Sequence, residues 1–146
     1  MEPLEFIESQ GLLWFKQTLE PYHSWVIFVL HPPKYGEWQQ EGSRLDREPG
    51  FYREVDVDES IEIHVIFEGF YYYKVDNETY HIVDKTAVYE GNNLRKYKAS
   101  KILGPNDVRL IEEDKLCHFG IICDNRVIDI LSYCLPRIEI IHQTSS

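Results

Sequence analysis

A chain of 146 residues is long enough to bury one core without disulfide or metal staples. Hydrophobic residues make up 43% and aromatics 14%, which argues against a disordered chain. The net charge of −10 argues against a groove for bare nucleic-acid phosphates and leaves a basic protein as the fitting macromolecular partner.

The N-terminus carries acids where a signal peptide carries positive charge. The longest uncharged apolar run, residues 25–30, is too short to cross a bilayer. A cytoplasmic protein that does not enter a membrane is therefore expected. Three cysteines, Cys117, Cys123 and Cys134, are odd in number and lack CxxC spacing, so neither a disulfide framework nor a zinc knuckle is indicated.

Residues 3–20 begin with Pro3, which suits a first helical turn, and place Leu4, Ile7, Phe15 and Leu19 near one face. Gly11 interrupts that pattern, so one short helix followed by extended chain is expected. Residues 24–31 (SWVIFVLH) are an apolar, β-branched run closed by Pro32-Pro33, the mark of a buried strand. Residues 32–50 look like a long loop, and loops of that length are often functional. Residues 51–57 alternate into a further strand, and Asp58-Glu59-Ser60 turns the chain.

The most regular stretch is residues 60–91. Ile61, Ile63, Val65 and Phe67 fall on one face, and Glu62, His64, Ile66 and Glu68 on the other. Gly69 marks a bend or bulge. Residues 70–75 lead to a turn at Asp76-Asn77-Glu78, residues 79–83 return, Asp84-Lys85 turns again, and residues 86–90 precede Gly91. Beyond it, residues 97–103, 108–111, 116–123, 127–134 and 137–142 are strand candidates, with a turn at Gly104-Pro105 and a hairpin at Asp124-Asn125-Arg126. Many short strands with frequent turns describe an all-β domain over residues 1–146, preceded by a short N-terminal helix and built as a barrel or sandwich.

Gly50 is followed by Asp56-Val57-Asp58, Glu62 and Gly69 at the spacing of the first cupin motif, where a Gly, a His-x-His pair, a Glu and a second Gly recur. Residues 65–91 also follow the cupin order of strand, Gly, strand, tight turn, strand, short turn and strand. About a third of the chain thus resembles a cupin, and most of all the sugar-sensing domains of arabinose-regulator-type transcription factors. Asp56 and Asp58 stand where the family has metal-binding histidines, and Arg95 falls at the histidine of the second motif. The resemblance implies a cupin-like double-stranded β-helix barrel with no metal and no other cofactor, because a guanidinium in the ligand shell would repel a cation. A calycin-type barrel is the alternative.

The chemistry of individual residues leaves alternatives open. Asp56, Asp58, Glu62 and Arg95 either converge at a barrel mouth, where Arg95 holds a carboxylate or polyhydroxyl ligand, or flank a solvated turn. His64 and His81 with Glu62 are either a metal or proton-transfer set or ordinary hydrogen-bonded histidines. Cys117 and His118 are neighbours in a strand and point to opposite faces, which rules out a nucleophile–base pair. Tyr71, Tyr72, Tyr73, Tyr80, Tyr89 and Tyr97 suit a pocket or an interface as well as cross-strand packing. No P-loop, dinucleotide fingerprint, GxSxG or HExxH occurs.

The leading expectation is a metal-free, non-enzymatic sensor or accessory protein that binds a small polar or aromatic molecule inside the barrel. Glu62, His64, Tyr71, Tyr73 and Arg95 are its expected ligand-binding residues, and no residue is assigned a catalytic role. The alternative is an acidic protein–protein interaction module of the inhibitor or immunity type, with a basic partner; a homodimer is compatible with either. An enzyme, a metal-independent isomerase or lyase with His64 as acid–base, ranks third.

Overall fold

In the computed structural model, which describes residues 2–40, 51–77, 87–99 and 116–143, strands dominate. Helix α1 (Pro3–Ser9) starts at the expected proline, and Gln10 leaves the helical region with ψ at 136°. β1 (Trp14–Leu19) and β2 (Val26–His31) form a hairpin. β3 (Pro33–Tyr35), β4 (Gln39–Gln40), β5 (Phe51–Tyr52) and β6 (Val55–Val57) make two short pairs, β3 with β6 and β4 with β5. Residues 33–40 are thus partly strand, where the sequence suggested only loop. β7 (Ile61–Phe67) and β8 (Phe70–Asn77) follow, then β9 (Val88–Glu90) and β10 (Leu94–Ala99). β11 (Cys117–Ile122), β12 (Arg126–Ser132) and β13 (Arg137–His142) complete the chain, with the expected hairpin between β11 and β12. Outside the described residues lie the expectations for residues 79–83 and 108–111, the turns at Asp84-Lys85 and Gly104-Pro105, and the residues Gly50, Tyr80 and His81.

Two antiparallel sheets carry the fold, one ordered β1-β2-β7-β13 and the other β8-β12-β11-β10-β9. The alternation in β7 sorts as expected: Ile63, Val65 and Phe67 are buried in the core, while Glu62 and His64 share the opposite face. Register places Phe28, Val65 and Ile138 in one inward row of the four-stranded sheet. The five-stranded sheet answers with Phe119, Ile121, Ile128 and Ile130. Rings meet from sheet to sheet, Phe67 on Phe119 and Phe28 on Tyr73, each with centroids 5.4 Å apart. Such ring contacts, edge-to-face for Phe28 and Tyr73 and tilted for Phe67 and Phe119, add to the apolar burial that holds two sheets face to face.

Among the described residues the sheets do not close into a barrel, which corrects the barrel expectation. Among the described residues β1 and β13 edge one sheet, and β8 and β9 edge the other. Charged side chains on these edges, including Lys16, Lys74, Glu90 and Glu139, discourage further strand pairing. The sheet-to-sheet ring contacts occupy the space a barrel lumen would hold.

One corner joins the layers. β7 pairs with β13 and β8 with β12, so two antiparallel ribbons cross from one sheet to the other together. Tyr133 N–H donates to the Gly69 carbonyl at 2.9 Å, and the Ser132 hydroxyl donates to the same oxygen at 3.2 Å. A Cβ at Gly69 would lie 3.1 Å from Cys134 Sγ, so the missing side chain allows the close crossing.

The N-terminal segment is fastened by two side chains. The Asn125 amide pairs with Phe15 like a strand, accepting from its N–H at 2.9 Å and donating to its carbonyl at 3.0 Å. The Asn93 amide donates to the carbonyls of Ile7 and Gln10 at the end of α1. Glu8 in turn accepts from the N–H groups of Asn92, Asn93 and Leu94. That tight loop needs Gly91 at φ 88°, where a Cβ would strike the Leu94 carbonyl oxygen.

Candidate functional site

The five residues expected to bind a ligand are spread over four places. Glu62 and His64 lie together on the outer face of the four-stranded sheet. Lys16 Nζ donates to Glu62 Oε2 at 2.7 Å, and His64 Nε2 lies 3.1 Å from Glu62 Oε1. Arg95 sits on the outer face of the other sheet, where its Nε–H donates to the Asn92 carbonyl and its guanidinium lies 4.2 Å over the Tyr89 ring. Glu62 and Arg95 therefore do not meet. Tyr73 packs inward on Phe28 and Phe70, and Tyr71 stands exposed at the corner against Tyr133.

The Lys16 and His64 hydrogen bonds hold the Glu62 carboxyl below its ordinary value of 4.5. A carboxyl with a lowered folded pKa contributes stability that is complete above its unfolded pKa and is lost as pH falls through the folded value. Unfolding free energy should consequently drop on acidification below about pH 4.5, and Glu62→Gln should flatten that limb. Chemical denaturation at stepped pH measures it; an acid limb unchanged in Glu62→Gln would remove Glu62 as a cause.

Two of the surface clefts are lined by described residues. The corner cleft, about 760 Å³, is lined among others by Glu20, Tyr22, His23, Tyr71 and Tyr133. The Tyr73 hydroxyl donates to Glu20 Oε1 at 3.3 Å, and its own pKa is raised by burial and by the Glu20 charge. Ser24, on the cleft wall, has φ of 64°, and its carbonyl accepts the Phe70 N–H. Left-handed backbone is unusual for a residue other than Gly, Asn or Asp, and such strain gathers at functional sites.

The end cleft, about 320 Å³, lies where β1 and the β11–β12 hairpin approach β6. Its apolar wall includes Leu12, Pro32 and Val55, with Trp14 beside them and two carboxylates, Asp56 and Asp124. Asp124 is placed by its N–H, which donates to the Leu13 carbonyl at 2.7 Å, and by the Asn125 clamp that follows. On the adjoining strand pair the Arg53 guanidinium lies 4.1 Å from the Tyr35 ring and 4.7 Å from the Trp38 ring.

A polar cluster occupies the outer face of the five-stranded sheet. His118 Nε2 and Asp129 Oδ1 are 2.8 Å apart, with both side chains buried. The Tyr97 ring stacks on the His118 ring at 4.1 Å, and Gly120 leaves room for it. Burial is the largest influence on the Tyr97 phenol and raises its pKa. Cys117 packs on the core side, so it and His118 do point apart. Burial pushes the Cys123 thiol up to about 12, which leaves it unreactive. Among the described residues no three His, Cys, Asp or Glu side chains are grouped to hold a metal. No described helix is long and apolar enough to cross a membrane.

Sequence patterns gave no weight to Glu20, Trp14, Trp38 or Arg53, because each joins its neighbours only through long-range strand pairing. Asp124 was legible as a turn residue but not as a cleft wall. Comparison with protein-family models, with curated proteins and with solved structures found no match.

Proposed function

We propose that this chain is a protein-binding module with a basic partner, of the acidic inhibitor or immunity type, and not an enzyme. One observation carries this: the interior is packed ring against ring, while Trp14, Tyr22, Tyr71 and Tyr133 stay exposed at the clefts and Tyr35 and Trp38 stay exposed beside Arg53. Trp, Tyr and Arg dominate the energetics of protein interfaces. A charge of −10 steers a basic partner toward such a surface.

The test is site-specific photo-crosslinking from Tyr22 and Trp38 of the full chain in its native cell extract, with Lys98 as the control position. A single protein trapped from the aromatic positions but not from Lys98 is expected. After purification it should bind the chain stoichiometrically, and more weakly as ionic strength rises. Failure to trap any protein, together with strong thermal stabilisation by a small molecule, would overturn the proposal.

The second reading, binding of a small polar or aromatic molecule, is favoured by the corner cleft. Its volume of about 760 Å³ falls in the range of small-molecule sites. Tyr71 lines it, and Tyr73 orients its carboxylate, Glu20. A thermal-shift screen with sugars, organic acids and aromatic acids probes that reading. Kinship with the cupins is likewise a proposal; its support is the paired crossing of β7–β8 with β12–β13, which has the character of a double-stranded β-helix turn.

A further inference from the structure

We infer that the end cleft receives one arginine or lysine side chain of the basic partner; this rests on the protein-binding reading and names its contact. The cleft holds about 320 Å³, room for one long side chain. Its composition fits the two halves of such a side chain. Leu12, Pro32 and Val55 offer apolar surface to the methylene stem, and Asp56 and Asp124 offer carboxylates to the cationic head. Trp14, 40% exposed, adds an aromatic face of the kind that attracts cations.

The Asp124 backbone is fixed by its N–H bond to the Leu13 carbonyl and by the Asn125 clamp that follows, which sets the residue at the cleft wall. Asp56 Oδ1 accepts the Val57 N–H at 2.7 Å, and Lys34 is its cross-strand neighbour. The same chemistry already occurs within the chain, where Arg53 lies over Tyr35 and Trp38. A like-for-like contact from a partner extends it.

The experiment titrates the isotopically labelled full chain with a short capped peptide carrying one arginine, and with versions carrying citrulline or norleucine instead. With the arginine peptide, the Trp14 indole and the amides of Val55, Val57 and Asp124 should shift together and saturate. The citrulline and norleucine peptides should bind roughly tenfold more weakly. Asp56→Asn combined with Asp124→Asn should produce a similar loss with the rest of the spectrum unchanged, which shows the fold intact. Equal shifts from norleucine, shifts confined to the corner cleft, or no shift with arginine would each overturn the site. In all three cases the crosslinking from Tyr22 and Trp38 still decides, independently, whether the chain binds a protein.

Discussion

Phe67→Ala should destabilise the protein by about 4 kcal/mol, measured by urea denaturation with an unchanged slope. Phe67 is fully buried at the end of β7, with its ring centroid 6.1 Å from Phe28 and 5.4 Å from Phe119. Truncation removes its own apolar burial and leaves a cavity between the two sheets, and both effects have the same sign. The loss is a large part of the roughly 5–15 kcal/mol that holds an ordinary domain together. Phe67→Leu keeps most of the volume and should cost about 1.5 kcal/mol. A cost below about 1 kcal/mol for the Ala variant would mean the sheets do not depend on this ring.

Asp129→Ala should cost about 3 kcal/mol, because it leaves the His118 imidazole buried without its carboxylate. The His118 ring cannot simply swing to solvent, since Tyr97 covers it at 4.1 Å with the planes 12° apart. Asp129→Asn keeps an acceptor oxygen at the same reach and should lose about 1 kcal/mol. A double-mutant cycle with His118→Gln isolates the pairwise energy. Equal losses for the Ala and Asn variants would show that the hydrogen bond contributes little.

Local order in this chain was written in its alternation. The inward set Ile63, Val65 and Phe67 and the outward pair Glu62 and His64 follow from a period of two alone. The turn at Asp124-Asn125 and the helix start at Pro3 follow from residue chemistry just as directly. Sheet order did not. Whether β7 and β8 close a barrel or cross between two open sheets depends on pairings with β13 and β12, far away in sequence, and a period of two is the same in both cases. Glu62 and Arg95 were therefore set in one barrel mouth, whereas they lie on outer faces of different sheets. Tyr71 lies at the corner cleft near Gly69, while Tyr73, two residues on, packs into the core on Phe28 and Phe70.

The clamp between Asn125 and Phe15 spans 110 residues, and the bonds from Asn93 to the end of α1 span more than eighty. A ribosome emits the N-terminal segment first, yet its fastenings are synthesised late. β1 can pair with β2 early, but α1 and the start of β1 must wait, undocked, for the β11–β12 hairpin. Long-range contacts of this kind slow folding. Ile7 and Leu13, buried in the finished fold, are thus apolar side chains of the nascent chain that stay uncovered until that hairpin is made, and Leu13 then also lines the end cleft.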